Sequence, residues 1–357
     1  MILVTGGAGY VGSHSAKALR LAGYRVVIFD NLSAGHREAA LGAPLVEGDI
    51  RDVDAVRAAI RDSGASAVMH FAARLVIAES MRDPAGYYDT NVKGALATLE
   101  AMAAERCTHF VFSSTCAVYG EPTEVPLRED HPTRPINPYG QTKLVVEQAL
   151  PHFERAYGIR SVRLRYFNAA GADPDGELGE DHTPEVHAIP RAFEAAAGGP
   201  PFDLFGEDYP TPDGTCLRDY VHVADLADAH LRALDRLEQG DASATYNVGT
   251  EQPSSVRQVI AAVERVTGRE VPYRSAPRRP GDPAVLCASA ARIRGELGWV
   301  PRRAGLETIV NDAWRWHSTH PRGFQGAVRP GSLPPAPPPH RADVRNGSPV
   351  PAKRGES

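Results

Sequence analysis

The first half of the chain alternates short apolar runs with longer stretches in which apolar residues recur at helical spacing. The apolar runs predict strands over residues 2–5, 25–29, 65–71, 109–114 and 161–166. Helical spacing between these runs, as in residues 53–61 and 84–104, predicts connecting helices. Strands that are apolar throughout and alternate with helices are typical of a parallel sheet covered on both faces. The pattern therefore predicts an α/β fold with a doubly wound parallel sheet over about residues 1–170.

The second half of the chain is richer in Gly, Pro and Asp and has shorter elements. This texture predicts a smaller, mixed α/β substrate-binding domain over about residues 171–321. Segments within about residues 217–249, including an apolar strand at 244–248, are predicted to return to the first domain. From about residue 322 the chain is rich in proline and has no apolar face to bury, which predicts a disordered tail over residues 322–357.

A glycine-rich turn separates the first predicted strand from the first predicted helix. Gly6, Gly9 and Gly12 occupy this turn in the spacing Gly-x-x-Gly-x-x-Gly. Free backbone N–H groups and the helix dipole at such a turn attract a pyrophosphate. Asp30 ends the second predicted strand, where a carboxylate would bind the adenosine ribose and repel a 2′-phosphate. These residues predict a Rossmann-like site for NAD that rejects NADP.

Tyr139 and Lys143 supply the candidate chemistry. Asn137 and Pro138 are suited to the start of a helix, and residues four apart on a helix share a face. We therefore expect the Lys143 ammonium to lie beside the Tyr139 phenol and to lower its pKa from about 10. The product would be a general base able to take a proton from an alcohol near neutral pH.

Together these motifs resemble those of the extended short-chain dehydrogenase/reductases that act on nucleotide sugars, and within them the UDP-glucose 4-epimerases. Further matching stretches are Asp49-Ile-Arg51, His70-Phe-Ala-Ala73, Tyr87-Tyr-Asp-Thr-Asn91, Phe112-Ser-Ser-Thr115, Arg165-Tyr-Phe-Asn168, Tyr209-Pro-Thr-Pro-Asp-Gly214, Arg218 to Asp228, and Arg278-Arg-Pro-Gly-Asp282. The resemblance runs from residue 1 to about residue 321. It implies oxidation at C4 of a UDP-sugar by NAD to a 4-keto sugar, with hydride return to the opposite face.

The resemblance also implies which residues form the site. The implied catalytic residues are Tyr139, Lys143 and Thr115, whose hydroxyl would bind the reacting sugar oxygen. The implied cofactor-binding residues are Gly6, Gly9, Tyr10, Val11, Gly12, Asp30, Asn31, Asp49, Ile50, Phe71, Ala72, Ala73, Arg74, Asn91, Ser113, Tyr139, Lys143 and Tyr166. The implied substrate-binding residues are Thr115, Tyr139, Asn168, His187, Arg218, Arg279, Asp282 and Leu286.

Some positions depart from the family pattern and leave alternatives open. Arg74 lies near a position usually held by a lysine that contacts cofactor phosphate. His187 stands where other epimerases carry Asn in the substrate pocket, and the alternative to a substrate-binding role is an exposed loop histidine. Related 4,6-dehydratases carry Asp-Glu after the catalytic Thr, where this chain has Cys116 and Ala117, so the catalysts of elimination are missing. A net dehydrogenase, a cofactor-binding regulator, and epimerisation of a UDP-N-acetylhexosamine or UDP-pentose stay as alternatives. Leu286 is smaller than the Tyr associated with strict UDP-glucose specificity.

Composition narrows the possible partners. A net charge of −5 gives no electrostatic footprint for nucleic acid or for an anionic membrane. The apolar runs are strand-sized, and the first strand begins at Ile2, so we expect a cytoplasmic protein without a signal peptide or membrane span. The cysteines lack paired spacing for a metal or a redox dithiol, and we expect no metal site. The resemblance implies a homodimer paired through residues 84–104 and 138–150.

Overall fold

The fold is described by a computed structural model that covers residues 1–279 and 281–325. Within these ranges the strands are β1 (Ile2–Thr5), β2 (Val26–Asp30), β3 (Leu45–Glu47), β4 (Ala67–His70), β5 (His109–Thr115), β6 (Arg160–Tyr166), β7 (Asn168–Ala170), β8 (Phe202–Phe205), β9 (Leu217–Arg218), β10 (Tyr220–His222), β11 (Ala244–Val248), β12 (Ser254–Ser255), β13 (Tyr273–Ala276), β14 (Val285–Leu286) and β15 (Pro321–Phe324). The α-helices are α1 (Tyr10–Leu21), α2 (Val53–Ser63), α3 (Ile77–Ser80), α4 (Pro84–Tyr87), α5 (Gly94–Ala104), α6 (Pro138–Tyr157), α7 (Ala188–Ala196), α8 (Val223–Glu238), α9 (Val256–Thr267), α10 (Ala291–Leu297) and α11 (Leu306–Thr319).

Seven strands form one parallel sheet in the order β11-β6-β5-β4-β1-β2-β3. The order reverses beside β1, because the chain first builds outward through β2 and β3 and then crosses to β4 on the other side. Ligands bind at such a switch point, outside the carboxyl ends of the strands. The predicted doubly wound sheet is confirmed. It brings the turn after β1 and the end of β5 to the same edge, with only β4 between their strands.

Helices cover both faces of the sheet. Helices α1 and α8 bury apolar residues such as Leu19 and Leu234 against one face. Helices α2, α5 and α6 bury apolar residues such as Leu99 and Val146 against the other face. Burying apolar side chains on both faces explains why the central strands carry apolar residues without alternation.

A second apolar core is built around α7, α9 and α11. Phe193, Val263 and Val310 are buried there together. Small sheets flank this core, pairing β7 with β10, β8 with β13, and β9 with both β12 and β14. Strand β11 returns to the main sheet beside β6, as the sequence predicted for residues 244–248. The numerical bounds of the two predicted domains stay predictions.

Several local features differ from the sequence predictions. Strand β3 is an addition to the predicted strands, and the predicted helix at 84–104 is divided by a π-helical turn at Tyr88–Lys93. The predicted start of the tail at residue 322 is wrong, because β15 extends to Phe324. The Phe324 amide donates to Asp181 Oδ2 at 2.9 Å, and its ring packs on Trp316. The rest of the predicted tail, residues 326–357, lies outside the described residues.

Within the described ranges, no helix combines the length and the apolar character needed to cross a membrane.

Candidate active site

The turn between β1 and α1 has the geometry of a cofactor cradle. Gly6 has a φ of +70°, and a Cβ there would lie 2.4 Å from the Ala72 backbone nitrogen. A Cβ on Gly12 would lie 2.1 Å from the Gly6 carbonyl oxygen, so the turn closes tightly only with glycine at both positions. Gly9 is the N-cap of α1 and offers no side-chain cap. The N–H groups of the first helical turn therefore stay available to an anion.

The first helical turn carries the predicted cofactor residues Tyr10 and Val11. The first intrahelical bond runs from the Ser13 amide to the Gly9 carbonyl at 2.9 Å, so the amides of Tyr10, Val11 and Gly12 precede it. The Tyr10 hydroxyl donates to the Gly171 carbonyl at 2.7 Å. This bond ties the cofactor turn to the chain that follows β7.

Asp30 lies at the carboxyl end of β2 and is held by two backbone amides. Its Oδ2 accepts from Ala8 at 2.9 Å, and its Oδ1 accepts from Leu32 at 2.8 Å. Burial raises the pKa of Asp30, and both amide bonds act against this rise. The carboxylate is thus fixed beside the glycine turn, where a cofactor ribose would lie, and these residues fit NAD.

The other predicted cofactor residues follow neighbouring strands. Asn31 donates to Asp49 at 3.2 Å, and Arg51 binds the same carboxylate at 2.7 Å, which holds the pKa of Asp49 below its usual range. Ile50 is buried beside α5. The amides of Phe71 and Ala72 both donate to the Thr5 carbonyl, which keeps the end of β4 beside the glycine turn. Ala73 continues this segment toward Arg74.

The guanidinium of Arg74 is held by carboxylates of the loop after β4, and its role in cofactor binding stays a prediction. Its Nη atoms lie 2.7 Å from carboxylate oxygens of Glu79 and Asp83, and the guanidinium stacks 4.7 Å from the centre of the Tyr87 ring. Asn91 binds the Arg74 backbone, accepting from its amide at 2.8 Å and donating to its carbonyl at 3.0 Å. In the structure Arg74 shapes the loop after β4, and its guanidinium is engaged by carboxylates rather than directed as a free phosphate ligand.

Thr115, Tyr139 and Lys143 come together at the carboxyl end of β5. Asn137 caps α6 by accepting from the Gly140 amide at 2.8 Å, with Pro138 at the first helical position, as predicted. The Thr115 hydroxyl lies close enough to the Tyr139 phenol to favour its charged form. Lys143 is buried and its Nζ donates to the Ser113 carbonyl of β5 at 2.8 Å. The side chains of all three candidate catalytic residues therefore meet at one sheet edge.

The predicted lowering of the Tyr139 pKa by Lys143 is not what the structure gives. Burial raises the pKa of Tyr139 to about 12, and the nearby Thr115 hydroxyl acts against this rise. Burial also lowers the pKa of Lys143 to about 7, while Glu147 acts in the opposite direction. Desolvation disfavours the charged forms of both side chains. A phenolate at neutral pH therefore requires a further positive charge in the closed site.

A second layer of polar residues supports the three candidate catalytic residues. Ser113 Oγ hydrogen-bonds the Tyr166 hydroxyl, and Tyr166 lies opposite Thr115 in the register of β5 and β6. Glu147 lies one helical turn after Lys143, accepts from Ser114 Oγ at 2.5 Å, and forms a buried ion pair with Arg165. The sequence analysis did not identify Glu147, although its position four residues after Lys143 is a signal that could have found it.

Arg218, Asp282 and Leu286 form a second group. Arg218, which is buried, forms an ion pair with the partly exposed Asp282, and its backbone lies opposite Leu286 in the register of β9 and β14. Leu286 packs against the apolar cluster that contains Cys116, the residue after Thr115. Asn168 is linked to this group through its amide, which donates to the Asp219 carbonyl at 2.9 Å. Through Leu286 and Cys116, this group of predicted substrate residues lies next to the end of β5 that carries Thr115.

Two predicted substrate residues have other contacts. The Arg279 guanidinium lies over the Phe205 ring, 3.9 Å from its centre. His187 precedes α7, and its Nδ1 lies 2.7 Å from Glu180 Oε1 and 3.1 Å from Glu185 Oε1. Burial opposes protonation, but these carboxylates outweigh it and raise the pKa of His187 to about 10. The alternative of an exposed loop histidine is wrong, because His187 is partly buried in a carboxylate cluster.

Comparison with known proteins assigns the chain to a family. Residues 2–249 match the NAD dependent epimerase/dehydratase family. The chain belongs to this family. It is 50% identical to the UDP-glucose 4-epimerase of Azospirillum brasilense over 332 residues, covering 92% of this chain and 95% of that one.

Solved structures of this family have the same fold. The UDP-glucose 4-epimerase of Brucella ovis in complex with NAD is 46% identical, with a TM-score of 0.86 over 88% of this chain and 98% of that one. The UDP-Glc/GlcNAc 4-epimerase of Campylobacter jejuni is 39% identical, with a TM-score of 0.78 over 89% of this chain and 98% of that one.

Proposed function

We propose that this chain is an NAD-dependent epimerase that interconverts UDP-glucose and UDP-galactose by oxidation and reduction at C4. The observation that carries the proposal is the joining of Thr115, Tyr139 and Lys143 at the carboxyl end of β5. The glycine turn after β1 opens at the same sheet edge and fits a pyrophosphate. Relatives of up to 50% identity over nearly the whole chain carry the name UDP-glucose 4-epimerase.

Each candidate catalytic residue has a defined task in this reaction. Tyr139 takes the proton of the sugar 4-hydroxyl and later returns it, and Thr115, whose hydroxyl favours the Tyr139 phenolate, binds that sugar oxygen. When bound, oxidised NAD supplies a hydride acceptor and the further positive charge that the Tyr139 phenolate requires. Lys143, anchored on the Ser113 carbonyl, adds its own charge at the same sheet edge when it is protonated. Burial of the site excludes water that would otherwise compete for the proton.

Inversion at C4 requires a firmly bound nucleotide and a keto sugar that is free to rotate about its bond to the diphosphate, so that it presents its opposite face to the hydride. We assign the grip on the diphosphate to Arg218, Arg279 and Asn168, since a guanidinium offers paired donors to phosphate oxygens. Arg218 is already oriented by its ion pair with Asp282. Leu286 offers the sugar an apolar wall without a hydrogen bond. This combination supports tight binding of UDP and loose binding of the hexose.

The residues after Thr115 argue against elimination of water. Cys116 is buried, and burial raises the pKa of its thiol to about 12. The Ala117 amide donates to Thr115 Oγ1 at 3.1 Å, and its side chain has no group that transfers protons. A 4,6-dehydratase needs a further acid and base at this place, so epimerisation is the reaction that these residues support.

The proposal is tested by incubating the purified protein with UDP-galactose, without added cofactor, and separating the products by anion-exchange chromatography. We expect UDP-glucose to accumulate to a constant ratio from either sugar. A panel with UDP-N-acetylglucosamine and a UDP-pentose compares the alternative substrates. Stoichiometric NADH release would indicate a net dehydrogenase, and a 4-keto-6-deoxy product would indicate a dehydratase; either result contradicts the proposal.

Cofactor identity gives a further prediction. Asp30, fixed by Ala8 and Leu32, would repel a 2′-phosphate, so heat denaturation of the purified protein should release NAD or NADH. Enzymatic cycling assays specific for each dinucleotide measure the amounts. Recovery of NADP instead, or a protein that is empty and needs millimolar cofactor, would contradict this prediction.

Substrate breadth depends on Leu286 in this account. Its half-buried side chain leaves more room than Tyr, so we expect weaker but measurable activity on UDP-N-acetylglucosamine beside the main reaction. Leu286→Tyr should suppress the N-acetyl activity much more than UDP-galactose turnover, because the larger ring excludes the acetamido group. Leu286→Met, which conserves volume, is the matched control and should change the ratio of the two activities little. Equal losses of activity on both substrates would show that Leu286 does not determine substrate breadth.

The assembly is proposed to be a homodimer, and the location cytoplasmic. Tyr88, Val92 and Leu96 recur every four residues on the outer side of the segment that leads into α5, and they line one shallow surface pocket. An apolar row of this kind supports pairing of two copies through residues 84–104 and α6. Light scattering coupled to size exclusion should give twice the monomer mass. A monomer at micromolar concentration would contradict the dimer.

A further inference from the structure

A cluster of two histidines and two glutamates lies outside the proposed reaction. Glu180, His182, Glu185 and His187 belong to the segment that joins β7 to α7, and His187 is the residue before α7. Each offers one possible ligand atom, and these atoms all lie within 4.8 Å of one another. The spacing Glu-x-His-x-x-Glu-x-His was not recognised in the sequence analysis, which considered only cysteine spacing.

The distances in this cluster match those around a tetrahedral metal ion. His187 Nδ1 lies 2.7 Å from Glu180 Oε1 and 3.1 Å from Glu185 Oε1. His182 Nδ1 lies 3.4 Å from Glu180 Oε1 and 3.7 Å from Glu185 Oε2. Zinc binds histidine nitrogen and carboxylate oxygen at about 2.0–2.2 Å, which in a tetrahedron separates the ligands by about 3.4 Å. The measured separations lie on both sides of this value.

The cluster contains buried polar atoms that lack hydrogen-bond partners. Glu180 is only 4% exposed. Among the described residues, neither Glu180 Oε1 nor His182 Nδ1 has a hydrogen-bond partner. His187 Nδ1 hydrogen-bonds Glu185 Oε1 at 3.1 Å, and it lies 2.7 Å from Glu180 Oε1 as an ion-pair partner outside hydrogen-bonding geometry. Such atoms are costly unless a ligand satisfies them.

Charge balance is compatible with a divalent cation. Two buried carboxylates require two compensating positive charges. Two protonated imidazoles supply them, and so does one divalent cation bound to two neutral imidazoles. The cluster therefore accepts a metal ion without gaining net charge, and imidazole with carboxylate is a ligand set suited to zinc.

We propose that Glu180, His182, Glu185 and His187 bind one divalent transition-metal ion, with zinc the best match. Four protein ligands close the coordination sphere, so the site is structural and takes no part in the sugar chemistry. The ring of Tyr10, in the cofactor turn, meets the ring of His182 edge-on with centroids 6.3 Å apart. A bound ion would therefore fix the segment before α7 against the turn that holds the cofactor.

A second acidic cluster differs and provides a control. Asp173, Asp175 and Glu177 surround Lys17, whose Nζ lies 2.7 to 3.0 Å from a carboxylate oxygen of each. Lys17 already neutralises much of their charge, and Asp175 and Glu177 are exposed. A metal ion would have to displace this ammonium, so we expect no zinc site there.

The experiment uses the full chain without an affinity tag, dialysed against a chelator. Zinc chloride is then titrated in competition with a chromogenic chelator, for the unaltered protein, His182→Gln, Glu185→Gln and the control Asp175→Asn. We expect one zinc per chain in the unaltered protein and in the control, with the affinity about 100-fold lower or worse in the other two variants. One equivalent of zinc should raise the melting temperature of the unaltered protein and not that of His182→Gln.

Failure of this proposal can be distinguished from failure of the proposed function. Epimerase activity is measured on the same chelated samples, and we expect it to persist without metal. The zinc site is overturned if the chelated protein takes up no zinc in competition, or if His182→Gln and Glu185→Gln bind it as tightly as the unaltered protein. Circular dichroism of both variants without zinc verifies that they are folded.

Discussion

Replacing Tyr139 with Phe should lower the rate of UDP-galactose turnover by about 10²–10⁴-fold, the usual cost of losing a general base. The substitution removes only the phenolic oxygen, which lies near Thr115, and it leaves the partly buried ring in place. Binding of UDP, measured by isothermal titration calorimetry, should stay nearly unchanged, because the phenol does not contact the diphosphate in this account. The loss should therefore appear in kcat and not in affinity.

Tyr157→Phe is the matched control for this prediction. Tyr157 lies on the same helix, α6, but its side chain is exposed at the far end from the site. This variant should retain the activity of the unaltered protein. If Tyr139→Phe kept more than half of the activity, the assignment of the proton transfer to Tyr139 would be wrong.

Replacing Glu147 with Ala should lower the free energy of unfolding by about 3–5 kcal/mol, the typical cost of breaking a buried ion pair from one side. Glu147 and Arg165 have side chains only 5% and 8% exposed, and Arg165 would keep its charge without a carboxylate partner. The substitution also removes the acceptor for Ser114 Oγ, next to Thr115. Activity of the fraction that stays folded should fall as well, since the end of β5 loses this support.

Glu47→Ala is a matched control, because it removes a carboxylate from an exposed pair. Arg37 and Glu47 have side chains that are each 60% exposed, and such pairs contribute about 0–1 kcal/mol. Urea denaturation of the three proteins measures the difference. A destabilisation by Glu147→Ala no larger than that by Glu47→Ala would show that the buried pair is not important for stability.

Local pattern was sufficient to predict the elements around the cofactor. Apolar strands, the glycine turn and the Asn137-Pro138 helix start depend on neighbours in sequence, and the structure has β1, α1 and α6 where these signals predicted them. Strand β3 is only three residues long and largely exposed, so it leaves no apolar run to detect. Phe324 was assigned to the tail because its contacts cannot be read from the local pattern. Its amide binds Asp181, which is far away in sequence, and its ring packs on Trp316 of α11.

Electrostatics at the site required the three-dimensional structure. The sequence places Lys143 one turn from Tyr139, but burial of both groups controls their pKa values, and burial depends on how α6 packs on β5. Arg74 stands near a position where the family has a lysine, and only the structure shows that Glu79 and Asp83 hold its guanidinium, because a short loop brings them together. His187 was considered alone, whereas its properties come from Glu180 and Glu185.

The most direct test of the central claim follows the hydrogen at C4 of the sugar. UDP-galactose carrying deuterium at C4 is incubated with the protein in ordinary water, and the product is analysed by NMR and mass spectrometry. Oxidation and reduction at one carbon within a closed site predicts UDP-glucose with the deuterium still at C4. Loss of the label to solvent would indicate proton abstraction at that carbon and would contradict the account.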